Sequence, residues 1–86
     1  MADPVITPCP EGVWTKVAAS QTAGKVHIMS TAPDKYLQTY RDATGIAPTL
    51  ITEGVPFTEL LTISAAAVVD VYIWPQGADG SVRVDL

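Results

Sequence analysis

Apolar and polar side chains alternate with a period of two along most of the chain, which is the pattern of strands with one buried face. The clearest segments are 68–74, where Val69, Val71 and Ile73 occupy every second position, and 82–86, where Val82 and Val84 do. The abundance of β-branched residues also favours strands over a helix at 60–74. The predicted strands are residues 12–18, 25–31, 36–41, 50–52, 57–64, 68–74 and 82–86.

Seven prolines and six glycines separate these segments. Turns are predicted at 21–24, at 32–34 and near 65–67, and 42–49 is predicted to be a loop. Asp79-Gly80 supplies the positive φ that a tight turn needs, so 75–81 is predicted to close a hairpin. With an edge strand near the N-terminus, the count is about seven or eight short strands. This predicts an all-β fold, a small antiparallel β-sandwich or jelly roll.

The N-terminal residues are predicted to form an extended arm, residues 1–11, ahead of a single β-sandwich domain, residues 12–86. Pro4, Pro8 and Pro10 disfavour a helix there. Val5 and Ile6 could add at most an edge strand. A chain of 86 residues has room for one core. Its stability as a monomer is predicted to be marginal, because apolar burial and chain ordering nearly cancel at this size.

Composition narrows the class of partner. The formal net charge is −4, and the five Lys and Arg residues are scattered, which disfavours nucleic acid. Apolar residues make up 48% of the chain and charged ones 16%, so part of the apolar surface is predicted to lie against partner proteins. No signal peptide or membrane-spanning run is recognisable, and Cys9 is the only cysteine. The chain is predicted to be a soluble protein made in a reducing compartment, with no membrane partner.

The sequence contains no recognisable catalytic or cofactor motif, and we predict a protein that is not an enzyme. Its single histidine, His27, lies in an alternating strand and is predicted to face solvent or a neighbour. One cysteine and one histidine do not make a usual zinc site. The nine acidic residues are evenly spread, and Asp79 is explained by turn chemistry. No cofactor, metal site or catalytic residue is predicted.

The aromatic residues leave two interpretations open. Tyr72 and Trp74 share one face of their strand and the opposite face is aliphatic. Either the aliphatic side is the core and the rings face outward as interface anchors, or the rings are the core. Trp14 raises the same question. An exposed aromatic row would also suit sugar stacking, with Gln38 and Asp70 as polar clamps, so a carbohydrate-binding β-sandwich module is the alternative function.

Several short runs resemble small virion proteins of tailed bacteriophages. The runs are VWTKVA at 13–18, YLQTYR at 36–41, TGIAPT at 44–49, GVP at 54–56, and VDVYIW at 69–74 followed by VRVDL at 82–86. Their order is similar too: an opening tryptophan strand, a tyrosine-rich middle and a closing VYI/VRV pair. The likeness covers most of the chain after Gly12.

The resemblance implies a structural β-sandwich subunit on the virion, most specifically a capsid decoration or cement protein that stabilises the phage head. The implied partners are further copies of the chain, as a homotrimer, and the major capsid protein or another virion protein. A place in the tail, neck or baseplate is the structural alternative. The arm would reach along a neighbouring subunit. The predicted interface residues are Pro4, Val5, Ile6, Pro8, Trp14, Tyr36, Tyr40, Tyr72 and Trp74.

Overall fold

The computed structural model describes residues 5–43, 46–50, 52 and 54–85. The strands in these residues are β1 (Val5–Cys9), β2 (Thr15–Ile28), β3 (Lys35–Asp42), β4 (Val55–Phe57), β5 (Leu60–Gln76) and β6 (Gly80–Asp85). They form one six-stranded sheet in the order β1-β6-β2-β5-β3-β4, and every pair is antiparallel. The predicted all-β class is confirmed. The described strands belong to one sheet, so a sandwich or jelly roll stays a prediction.

Two strands are much longer than predicted. The structure contains no turn at 21–24 or at 65–67; β2 spans 14 residues and β5 spans 17. At both places the strand bulges instead. Ser64 and Val69 are five positions apart, whereas their partners Ala23 and Gln21 are two positions apart. Bulges bend a strand without ending it, which is why the described residues form six strands and not seven or eight.

The predicted closing hairpin is also wrong. The strands β5 and β6 are consecutive but do not pair, because β2 lies between them. Residues 25–28 of β2 pair with β6 on one side, and residues 24–27 pair with residues 60–63 of β5 on the other. Asp79 accepts a hydrogen bond from the Glu11 backbone N–H at 2.8 Å. The turn residues therefore lead β6 across to the far side of β2, a pairing that local turn chemistry does not specify.

The remaining differences lie at the sheet edges. The N-terminal segment forms the edge strand β1, paired with β6, as predicted for Val5 and Ile6. The predicted strand at 57–64 is divided between β4 and β5, with Glu59 in the left-handed region at φ 63° between them. Of the predicted strand at 50–52, Leu50 and Thr52 lie outside any strand, and residue 51 lies outside the described residues.

The core is formed where the bent sheet brings its two halves together. Val26, Ile63 and Val82 come from the β6-β2-β5 half, and Val71 and Ile73 come from the β2-β5-β3 half; all belong to one buried cluster. The aliphatic face of β5 is therefore the core side, as the first interpretation of the aromatic pattern proposed. Full burial of a branched aliphatic side chain stabilises a fold by roughly 1.5–3 kcal/mol, so this cluster fixes how the halves meet.

Candidate interaction surface

The face of β5 opposite the core carries its own small cluster of aromatic and apolar side chains. Trp74 lies beside Leu37 of β3, its register partner. Trp14, just before β2, packs edge-to-face on Trp74 with ring centroids 5.4 Å apart and an interplanar angle of 71°, a favoured aromatic geometry. Leu37 is buried although it is not part of the main core. We call this face of β2, β5 and β3 the outer face.

A chain segment covers this cluster. The covering segment, residues 46–50, 52 and 54, is attached to Trp14 by a hydrogen bond from the indole Nε1–H to the Leu50 carbonyl, at 3.2 Å. Gly54 packs so closely that a Cβ there would lie 2.7 Å from Cη2 of Trp14 and 2.9 Å from Cβ of Leu37. Only glycine permits this approach without a shift of the neighbours. The segment is therefore held on a fixed platform of tryptophan and leucine.

The covering segment and its neighbours expose large apolar side chains. Val13 precedes Trp14 in the sequence. We call Val13, Ile46 and Leu50 the loop patch, and their exposed fractions are 48%, 87% and 62%. Val55, although 57% exposed, is the register partner of Gln38 and lies on the opposite face of the sheet. Exposed apolar side chains that cluster on an ordered surface mark sites of interaction with proteins or other apolar surfaces. The loop patch is thus the candidate site.

The outer face also carries polar groups, centred on Asp70 of β5. The carboxylate of Asp70 is buried; it accepts a hydrogen bond from the Ser20 backbone N–H at 3.0 Å and lies 3.2 Å from Nζ of Lys16. The Ser20 hydrogen bond, followed by the Lys16 ammonium, holds the pKa of Asp70 below its usual value. The same carboxylate raises the pKa of Lys16. Ser20 lies in the bulge of β2 and is in the left-handed region at φ 54°. Because the Asp70 carboxylate accepts the Ser20 N–H, it stabilises this bulge.

Tyr72 is covered by this ion pair. Nζ of Lys16 lies 5.9 Å from the ring centroid, a cation–π distance, and Tyr72 is only 7% exposed. Tyr72 and Trp74 lie on the face opposite the core, as in the first of the two interpretations, but Tyr72 is enclosed by its neighbours and Trp74 is half-buried. Trp14 and Trp74 support the loop patch from beneath.

The other two predicted interface tyrosines face the opposite side of the sheet. Tyr36 is 2% exposed and belongs to the core, where its hydroxyl donates to the Ser30 carbonyl at 2.7 Å. Tyr40 packs against the core and donates to the Thr62 carbonyl at 3.3 Å. Both tyrosines extend from β3 to the other half of the bent sheet. Tyr36 therefore lies inside the fold.

The residues predicted from the N-terminal arm lie on or before the sheet edge. Ile6 and Pro8 are exposed on β1. Val5 is part of β1, but its side chain, like all of Pro4, lies outside the described residues. Within the described residues, the structure brings Trp14, Tyr72 and Trp74 together on one face, separates them from Tyr36 and Tyr40, and leaves Ile6 and Pro8 on the β1 edge.

The single histidine and the single cysteine are both in structural settings. Nε2 of His27 lies 3.1 Å from Oδ2 of Asp85, and the same oxygen is 2.8 Å from an Arg83 guanidinium nitrogen. The hydrogen bond from Arg83 lowers the pKa of Asp85. Cys9 is buried, and burial raises the pKa of its thiol to about 11. Among the described residues no group of three or more His, Cys, Asp or Glu could hold a metal ion.

The polar clamps suggested for sugar stacking do not meet. Asp70 is engaged by Ser20 and Lys16 on the outer face. Gln38 alternates with the core-facing Tyr36 and is the register partner of the core residue Ile73, so it faces the other side. With Tyr72 enclosed as well, these residues do not form an open stacking platform.

The structure also has a shallow cleft where β2 ends and β3 begins. Its volume is about 200 Å³, and Ile28, Tyr36 and Phe57 provide its apolar lining, with Asp34 and Glu59 at its rim. Pockets that enclose small molecules measure roughly 300–1,000 Å³. The cleft is large enough for one side chain of a partner and smaller than a typical ligand pocket.

Sequence reasoning missed the loop patch itself. Ile46 and Leu50 lie in a segment with Pro48, Gly54 and no clean alternation, so the pattern predicts a loop for Ile46 and a short strand for Leu50, and not a surface. The available signal was the apolar content of a segment that turn residues kept out of the sheet.

Among the described residues no helix has the length and apolar character needed to cross a bilayer. Comparisons with protein-family models, with curated proteins and with solved structures find no match for the chain.

Proposed function

We propose that this chain is a non-enzymatic structural subunit that binds protein surfaces through the loop patch. The observation that carries the proposal is the combination of exposure and fixed position. Ile46 and Leu50 present most of their surface to solvent, and the backbone of Leu50 is hydrogen-bonded to the half-buried Trp14. Apolar side chains on a preorganised surface bind a partner with little loss of conformational entropy.

In its most specific form, the proposal is a capsid decoration or cement subunit of a tailed bacteriophage, located on the virion after synthesis in the host cytoplasm. The runs that resemble small virion proteins support this assignment, among them VWTKVA at 13–18 and TGIAPT at 44–49. Both of these runs contribute to the loop patch, through Val13 and Ile46. The proposed partners are two further copies, which give a homotrimer, and the major capsid protein.

The proposal is tested by binding of the purified protein to expanded capsids of its phage that lack it. The double substitution Ile46→Ser and Leu50→Ser removes apolar surface that is already exposed, so folding is expected to persist. Binding in a sedimentation assay is expected to weaken by at least about tenfold. Val68→Ser is the matched control, since Val68 is 49% exposed and lies in β5 six positions before Trp74.

Equal capsid binding by the double variant and by the wild-type chain would overturn the role of the loop patch. A wild-type chain that does not bind expanded capsids, in its native oligomeric state, would overturn the assignment to the capsid surface. The native mass is measured on the same samples, with a trimer expected.

A further inference from the structure

Each edge of the sheet carries a proline. In the strand order the edge strands are β1 and β4; β1 contains Pro8 and β4 contains Pro56, and both side chains are exposed. An edge strand presents unpaired N–H and C=O groups that can pair with a strand of another chain. Whether these edges can do so depends on the direction in which the main chain of each proline points.

In β1 the main chain of Pro8 points away from the sheet. Pro8 is opposite Ser81 of β6, and the Ser81 carbonyl accepts a hydrogen bond from the Met29 N–H at 3.0 Å, on the far side from β1. In an antiparallel pair, the N–H and C=O of one residue point to the same side. The pair of Pro8 and Ser81 is therefore not hydrogen-bonded, and the position of the missing Pro8 N–H faces solvent.

Along β1 the main-chain N–H and C=O groups of successive residues point alternately toward β6 and outward. Thr7 and Cys9 direct their main-chain groups toward β6, and Ile6 and Pro8 direct theirs outward. Ile6 therefore has the only outward N–H donor between residues 6 and 9. Residue 10, immediately beyond the end of β1, is also a proline and has no N–H to donate.

In β4 the main chain of Pro56 also points away from the sheet. Pro56 is opposite Leu37, while Val55 and Phe57 are opposite Gln38 and Tyr36. Because Pro56 cannot donate to β3, the pair with Leu37 is the one without hydrogen bonds, and its flanking pairs carry them. The outward side of this three-residue strand then offers the Pro56 carbonyl and no donor.

We propose that Pro8 and Pro56, the edge prolines, prevent a further strand from adding to either edge of the sheet. The chain consequently associates with other proteins through side chains on its surfaces and not by strand addition. Without the edge prolines, a second copy of the chain is the partner that the edges would take up, because an edge strand can pair with the same strand of an identical chain. The edge prolines block strand addition whether or not the loop patch binds a capsid.

The test replaces both edge prolines with threonine, which supplies an N–H, favours strands and keeps an exposed position polar. The weight-average mass is measured by light scattering from low to high protein concentration. The Pro8→Thr and Pro56→Thr double variant is expected to at least double its mass relative to the wild-type chain, with increased thioflavin T fluorescence. Each single variant is expected to show part of the effect.

The controls change the same strand pairs without freeing an outward donor. Val55→Thr lies in β4 with its N–H directed to β3, and Ser81→Thr lies in the interior strand β6. Both are expected to keep the wild-type mass. If the proline variants retain the wild-type circular dichroism spectrum, mass and thioflavin T response at every concentration, the edge prolines have no such role. Capsid binding, measured separately, is expected to be unchanged in a monodisperse fraction of the Pro56→Thr single variant.

Discussion

Gly54 is the residue on which the loop patch most directly depends. Its Cα lies against Trp14 and Leu37, and any side chain there would overlap with both. The hydrogen bond from Trp14 to the Leu50 carbonyl is made by the same covering segment. A methyl group at position 54 should therefore shift the covering segment and weaken the hydrogen bond between Trp14 and the Leu50 carbonyl.

Gly54→Ala is expected to lower the free energy of unfolding by about 1–3 kcal/mol, the usual cost of overpacking. The tryptophan emission is expected to shift to longer wavelength as Trp14 becomes more exposed to water. Gly12→Ala is the matched control. A Cβ at Gly12 would meet nothing within 4 Å, but its φ of +81° opposes the change. Backbone strain of about 1–2 kcal/mol is therefore expected to lower stability, while the emission stays. Equal spectra for the two variants would contradict the packing described for Gly54.

Asp70 sets the response of the fold to acid. Its folded-state pKa is lowered, first by the Ser20 N–H and then by Lys16, whereas an unperturbed aspartate has a pKa of about 3.9. The carboxylate therefore stabilises the fold above that ordinary value. This contribution is lost as the pH falls through the lower, folded-state pKa.

Asp70→Asn is expected to reduce the melting temperature at pH 7 and to flatten the decrease in stability between about pH 5 and pH 2. The measurement is thermal unfolding across that range. Asp42→Asn, at the exposed end of β3, controls for the loss of one negative charge. A variant that follows the wild-type curve in parallel through the acid range would show that Asp70 is not the group that titrates.

At the scale of elements, the two long strands determine the shape of the molecule. The bulges let β2 and β5 pair in two different registers, so that one sheet contributes to both sides of one core. The two core-facing tyrosines of β3 then bond across to the other half, to the carbonyls of Ser30 and Thr62. The bend is thus held by hydrogen bonds as well as by apolar burial.

Tyr36→Phe tests this connection by removing one hydroxyl from the core. The Ser30 carbonyl would lose its 2.7 Å hydrogen bond, and a buried hydrogen bond of this kind stabilises a protein by roughly 1 kcal/mol. Chemical denaturation is expected to show a loss of about that size. Tyr40→Phe is the matched comparison, since its longer, exposed bond of 3.3 Å should contribute less. The opposite order of the two losses would contradict the role of Tyr36.

The sequence allowed the strands to be located but not connected. Alternation separated an aliphatic face of 69–73 from the face of Tyr72 and Trp74, because side-chain direction is a local property. It left open which of the two faces is the core side. It could not show that the alanines at 65–67 continue a strand through a bulge. It also could not show that β6 crosses to β2, since both depend on contacts between residues far apart in the chain. Lys16 and Asp70 likewise meet only through the pairing of β2 with β5.

At the scale of the whole molecule, the surfaces differ in what they offer to a partner. The edges end in prolines, the cleft of about 200 Å³ is small, and the loop patch combines large exposed side chains with a fixed base. The extents of the described chain are 32 × 28 × 17 Å, which makes it a thin body. Side-chain docking by the loop patch is the mode of association that these features favour.

The most direct measurement is hydroxyl-radical footprinting of the chain, free and bound to the capsid, with oxidation quantified at each exposed aliphatic side chain. We expect Ile46 and Leu50 to lose most of their reactivity on binding, while Val68 keeps its reactivity. Undiminished oxidation of Ile46 and Leu50 in the fully bound chain would contradict the account.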